Sequence, residues 1–199
     1  MDAMSYFHLF SRWMHVIAGI AWIGMLYFFN FVNIPLQGSV DDATKKGMNP
    51  QLMPRALWWF RWGAMFTFLF GLVLFWINYI HTSNLLEAGG GVSSRGWWIM
   101  WGMLFGTVMW FNVWFIIWPA QKKLLGGTAG DAAPALRKRA GLFSKINTIL
   151  SGPMLFGMLA AAHPQVSSGG WAAKVVLFTV GLLAIHLAYW QSRRVTTKV

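Results

Sequence analysis

Trp13-Met-His15-Val-Ile-Ala-Gly19-Ile-Ala-Trp22-Ile-Gly24-Met-Leu-Tyr27-Phe-Phe-Asn30-Phe-Val-Asn33-Ile-Pro35 decides the fold class of this chain of 199 residues. The stretch carries no charge and exceeds the ~18 apolar residues that mark a spanning helix. Working outward from it, four further runs nearly free of charge cover about 57–80, 96–118, 142–162 and 171–190. Each is long enough to cross a hydrocarbon core of ~30 Å at ~1.5 Å per residue. Tryptophans sit near several run ends (Trp13, Trp58, Trp97, Trp118, Trp171, Trp190), as in the interfacial belts of membrane proteins. The expectation is one all-α, polytopic membrane domain over 1–199, a bundle of about five transmembrane helices. A composition 57% hydrophobic and 11% charged rules out a soluble core, which would leave too much apolar surface in water.

Charge then orients the bundle. With five spans, the segments 37–56 and 120–141 and the C-terminal tail share one side. That side holds Lys45, Lys46, Arg55, Lys122, Lys123, Arg137, Lys138, Arg139, Arg193, Arg194 and Lys198, against Arg12, Arg95 and Lys174 opposite. The basic side is therefore cytoplasmic and the N-terminus outside, which places the chain in a bacterial inner membrane. Arg61 and Lys145 border the basic side, where long side chains snorkel outward. The net charge of +11 is thus topological and suits a lipid bilayer with anionic headgroups, with no call for a nucleic-acid partner. The two long connecting segments, rich in Gly, Ala and Pro, read as solvated connectors, and 89–91 as an external turn. No cleavable leader, internal repeat or soluble domain is expected.

Histidine is the residue type that points to chemistry. By this topology His15, His81 and His163 lie near the outer edge, on three different spans, and imidazole is a common ligand of haem and transition metals. A b-type haem between helices needs two ligands at matching depth, with small residues beside them. Span one supplies Ala18, Gly19, Ala21 and Gly24, and span four Gly152, Gly157 and Ala160 to Ala162. The same small residues also serve close helix packing, the reading preferred for Gly102-x-x-x-Gly106. His81, followed by Thr82-Ser83, reads first as an interfacial histidine. His163-Pro164 ends a span, and His186 is a packed or interfacial residue. His15 precedes a continuously apolar run, where an ionisable group is functional by default. Arg12, beside it, suits a haem propionate. With no cysteine, disulfides, iron–sulfur clusters and covalently attached haem are excluded within this sequence. No Asp or Glu lies within a span, which argues against a carboxylate proton relay. Asn30, Asn33, Asn78, Asn112 and Asn147 are read as interhelical hydrogen-bonding groups.

Three segments carry a family resemblance. His15-Val-Ile-Ala-Gly-Ile-Ala-Trp-Ile-Gly24 resembles the first-helix motif of the membrane-bound urate hydroxylase family, known from its urate oxidase N-terminal domain. Asn112-Val-Trp-Phe-Ile-Ile-Trp-Pro-Ala-Gln-Lys-Lys-Leu-Leu-Gly126 is similar to a second signature. The stretch from Asn147-Thr through Pro153-Met-Leu-Phe to His163-Pro is similar to the next helix. The resemblance implies a redox-linked membrane protein working with a cytochrome c. It singles out His15 and His163 and leaves His81 as a spare. Full-length members carry a C-terminal cytochrome c domain, which this cysteine-free sequence lacks.

The leading expectation is a membrane-embedded, b-type cytochrome-like electron-transfer subunit, with haem b near the outer face. His15 and His163 are its metal ligands, and Arg12, Gly19 and His81 are at the cofactor site. It would exchange electrons with a cytochrome c, a quinone pool or other subunits of a membrane redox complex. One alternative is an enzyme, a membrane oxidase of urate or a similar purine that uses a separate cytochrome c. Another is a cofactor-free structural subunit of a larger respiratory or photosynthetic complex. A copper-handling protein using the same histidines with Met is a more remote one.

Overall fold

The computed structural model describes residues 2–163, 166 and 169–195, so Pro164 and Lys198 lie outside the described residues. Five long helices follow one another: α1 (Ala3–Ser39), α2 (Asp42–His81), α3 (Ser94–Leu125), α4 (Ala133–Ala160) and α5 (Trp171–Ser192). All-α architecture follows. Four of the five (α1, α2, α3 and α5) are long and apolar enough to cross a membrane.

The fourth run departs from the expectation in an informative way. α4 has the length, but Lys145, Asn147, Thr148, Ser151 and Pro153 dilute its apolar character. Asn147, Thr148 and Ser151 face inward and are fully buried, whereas Lys145 is exposed. Asn112 donates to the Asn147 side-chain oxygen at 2.8 Å, and the Asn147 amide donates to the Met109 carbonyl at 3.0 Å. Asn30 donates to Ser144 Oγ at 2.8 Å, while the Asn78 side chain donates within its own helix, to the Leu74 carbonyl. Large apolar side chains point the other way, with Leu9, Ile20, Leu159 and Leu187 each at least 60% exposed. A bundle that buries hydrogen-bonded polar groups within an apolar core and turns large apolar side chains outward is suited to lipid, where packing and internal hydrogen bonds hold helices together. Replacing Asn147 by alanine strands the Asn112 amide. The expected loss is on the order of 1–2 kcal/mol, high for a membrane hydrogen bond, read from reversible unfolding in detergent.

Successive helices run antiparallel. Phe10 meets Phe70 and Phe29 meets Phe60 across α1 and α2; Phe68 stacks on Trp110 across α2 and α3, centroids 4.3 Å apart. α4 is the hub, touching α3, α5 and α1. Glycines set the closest approaches. A Cβ at Gly63 would lie 2.9 Å from the Trp22 nitrogen, and Gly102 and Gly157 would meet each other's backbones at 2.9–3.2 Å. Gly152 approaches the Gly181 carbonyl so closely that no side chain fits. The packing role expected of Gly102 therefore holds. Gly106 is different, because nothing lies nearer than 3.8 Å to its Cβ position.

Three boundaries differ from the sequence reading. α1 starts ten residues before Trp13, because Asp2 caps it by accepting the Ser5 amide hydrogen at 2.9 Å. The connectors at 37–56 and 120–141 are largely helical, and α2 runs through Pro50 and Pro54. Wider π turns at Phe28–Asn33 and Asn112–Ile117 stand two residues before Pro35 and Pro119, where a proline ring would crowd the preceding turn of an α-helix. The 84–93 loop folds back through a Leu86–Val92 bridge, with Gly90 at φ 89°. Arg61, read as snorkelling outward, is half-buried among tryptophans. Its guanidinium stacks 3.9 Å over Trp118, with Trp62 and Trp114 beside it, because the cation gains from the ring faces.

At the α2 start, Asp41 accepts the Thr44 amide at 2.9 Å and the Thr44 hydroxyl at 2.8 Å. Those bonds hold its carboxyl below the ordinary carboxylate value. A lowered folded value makes the cap's contribution present above the unfolded pKa of ~3.9 and lost as pH falls through the folded one. Amide exchange at Thr44 should accelerate on acidification through that range, and Asp41→Ala should exchange fast at every pH.

Candidate functional site

Helix α1 presents His15 in its fourth turn, not its first, because the helix begins at Ala3. The ring is half-buried against α2, and Gly71 makes room for it: a Cβ there would meet the His15 Cε1 at 3.1 Å. His15 Nδ1 lies 2.8 Å from the Thr67 carbonyl oxygen. A carbonyl only accepts, so Nδ1 carries a proton, and in the neutral ring Nε2 is the nitrogen with the lone pair. Donation of one ring N–H to a backbone carbonyl is how metal-ligating histidines are usually oriented. The Thr67 hydroxyl donates back to the Gly63 carbonyl at 2.7 Å, so the turn that orients His15 is itself held.

Beside His15 lies a cavity of about 530 Å³, within the range of ordinary cofactor sites. Its walls come from α1 (His15, Gly19, Gly24), α2 (Thr67, Gly71), α3 (Met103, Gly106) and α4 (Met154, Met158). Lining residues at its lips are exposed, Ile20 on α1 and Leu159 on α4, so the space opens to the outer surface of the bundle. The glycines fall into two classes. Gly63, Gly102, Gly152 and Gly157 fill helix contacts, whereas nothing lies within 4 Å of a Cβ at Gly24 and nothing within 3.8 Å at Gly19. The second class makes free volume, and the sequence pattern alone did not separate the two.

His163 stands just past the end of α4. Tyr27 and Ser151 share a hydrogen bond of 2.9 Å between α1 and α4, and Arg95 donates to the Ala161 carbonyl at 3.0 Å while its guanidinium lies 6.0 Å from the Tyr79 ring centre, so the end of α4 stands beside the end of α2. His163 Nδ1 donates to the Leu159 carbonyl at 2.8 Å, four residues back in α4. The ring sits exposed, one turn above Leu159 at the cavity lip; it does not line the cavity. His81, exposed at the end of α2, follows Gly71, the neighbour of His15, by ten residues and stacks on Trp76 at 5.2 Å. Of these three histidines only His15 lines the cavity. Arg12 is exposed and donates upward to His8 Nε2 at 3.3 Å, and His186 is exposed on α5. Among the described residues no three His, Asp, Glu or Cys side chains gather as a metal cluster.

One imidazole, His15, faces an apolar cavity relieved by glycines, which fits a single haem-type ligand there; His163 is outside the lining of that cavity. Sequence reasoning missed a second feature at the other end of the bundle. There Asn33, Gln37, Asn49, Gln121 and Arg137 line a further cavity of about 560 Å³. The only signal was amide residues recurring beside basic ones in segments read as connectors.

The family model described as urate oxidase N-terminal matches residues 2–49 and 86–198. The chain belongs to this family. The matched stretches include Arg12, His15, Gly19 and His163, while Thr67, Gly71 and His81 fall in the unmatched interval. Neither the search of curated proteins nor that of solved structures gave a match.

Proposed function

We propose that the chain is a membrane-embedded, b-type cytochrome-like subunit, with haem b held between α1 and α4 by His15 and His163. The observation that carries the reading is His15 at the edge of the apolar cavity, its Nδ1–H donated to the Thr67 carbonyl; His163 likewise donates Nδ1–H to a backbone carbonyl at the end of α4. The surrounding topology is five spans with the N-terminus outside and the C-terminus in the cytoplasm of a bacterial inner membrane. It rests on the charge asymmetry and on the inward polar face of α4. Bound there, haem supplies one-electron chemistry, exchanged with an external cytochrome c, a quinone or a partner subunit. The chain's own part is orientation and burial. Thr67 fixes the His15 tautomer, Gly71 admits its ring, Gly19 and Gly24 clear space, and Arg12 stands near to pair with a propionate. His81 is outside the ligand set.

The family membership favours a second reading, an oxidase of urate or a similar purine that passes its electrons to a separate cytochrome c. A reduced-minus-oxidised spectrum of the purified protein, with pyridine haemochrome analysis, tests the first reading. A haem b signal is expected; its absence overturns that reading in favour of a cofactor-free structural subunit. Reduction of the signal by added urate would make the chain part of an enzyme.

A further inference from the structure

At the end of the bundle away from His15, the 560 Å³ cavity adjoins a wider groove of about 630 Å³, and the two share Gln37, Asn49, Leu124, Leu125 and Arg137. The groove is cationic. Lys45, Lys46 and Arg137 line it with a single acid, Asp42, which is held by Lys45 at 3.1 Å. No other ion pair forms among the described residues, so Lys46 and Arg137 face the groove without a carboxylate partner. Gln37 and Asn49 exchange hydrogen bonds of 2.7 and 3.1 Å where groove and cavity meet. Behind them the walls turn apolar, with Phe29, Leu57, Phe60 and Ile117, and no carboxylate lines this inner space. Arg61 stacked on Trp118 and the exposed Trp58 and Trp59 mark this end as the interfacial level of a bilayer.

A cationic mouth over an apolar chamber matches an amphiphile with an anionic head. We infer that this end of the bundle binds one anionic phospholipid. Its phosphate rests against Lys46 and Arg137, and part of an acyl chain enters the chamber between Phe29, Leu57 and Phe60. A free phosphate would satisfy the cations and leave the apolar walls without a ligand, and an apolar molecule would leave the cations without one. Basic pockets between helices on the cytoplasmic side of a membrane are a recurring way of holding anionic headgroups. The inference uses no residue of the His15 site and stands apart from the haem reading.

The test is native mass spectrometry of the whole chain after incubation in neutral detergent with equimolar phosphatidylglycerol and phosphatidylcholine. Retention of one phosphatidylglycerol, at least about tenfold over phosphatidylcholine, is expected. It should fall to parity in Lys46→Gln/Arg137→Gln and persist in Arg137→Lys. Gly141→Leu provides a chamber test that leaves every charge in place. Gly141 lines the chamber and a Cβ there meets nothing within 4 Å, so the larger side chain fits and occupies the space. It too should lose retention, with unchanged circular dichroism. Parity in the wild type, or full retention in the double variant, overturns the inference. So does full retention in Gly141→Leu, which would mean attraction of headgroups to a basic surface alone. Displacement of the lipid by an equal concentration of inorganic phosphate would assign the groove to free phosphate instead.

Discussion

Replacing His15 by alanine is expected to remove the haem signal almost completely while leaving the helical content of the protein unchanged. His15 is the better held of the two proposed ligands. It is half-buried, fixed by the Thr67 carbonyl at 2.8 Å and wedged against Gly71. Its loss opens space beside a cavity that already exists, and the backbone partner keeps its own helix bond, so little stability is lost. His163→Ala should weaken retention less, by about tenfold, because an exposed ring beyond the end of α4 is replaceable by water or another weak ligand. His81→Ala should change nothing in the spectrum, since its ring stands well above the cavity on Trp76. Absorbance across a reductive titration of the three variants separates these outcomes. An equal loss in all three would point to misfolding rather than ligation.

Introducing leucine at Gly102 is expected to have the largest structural effect of any single change considered. A Cβ there would meet the Met158 nitrogen at 2.9 Å and the Gly157 carbonyl carbon at 3.2 Å, both main-chain atoms that move only if α3 and α4 separate. Overpacking costs about 1–3 kcal/mol where side chains can adjust, and a backbone contact belongs at or beyond the upper limit. Separating these helices also breaks the Asn112–Asn147–Met109 bonds, so the losses couple. Gly106→Ala, one turn further along the same helix, is the control. With 3.8 Å to its nearest neighbour it should be neutral, or stabilising by up to about 1 kcal/mol from helix propensity. Thermal unfolding in detergent distinguishes the two. Similar melting temperatures would refute the division of these glycines into contact and clearance positions.

The class of the fold was legible because charge-free runs of more than 18 residues have few alternatives. α4 was legible as a helix by length, yet its polar residues looked like a weakness until their burial against Asn30, Tyr27 and Asn112 gave them partners. Helix starts were harder. Asp2 and Asp41 are ordinary capping residues, but Pro50 and Pro54 argued for a loop, and a helix that projects beyond the apolar core carries no hydropathic signal. At the site, His15 was legible as the intramembrane histidine, and it lines the cavity, whereas His81 and His163 stand at helix ends outside it. Residues 5–12 were readable as an extra turn before Trp13, but that α1 starts at Ala3 and α2 continues past Gly71 to His81 was not. Ring tautomers, the cavity and the cationic groove depend on which residues meet in space, and sequence spacing does not encode that.

The central claim is that His15 Nε2 is a haem ligand, and chemical rescue tests it most directly. His15→Gly, purified with haem supplied and then titrated with imidazole, should lack the low-spin b-type spectrum and regain it as imidazole fills the vacated space beside Gly71. A wild-type spectrum in His15→Gly before any imidazole is added would contradict the account.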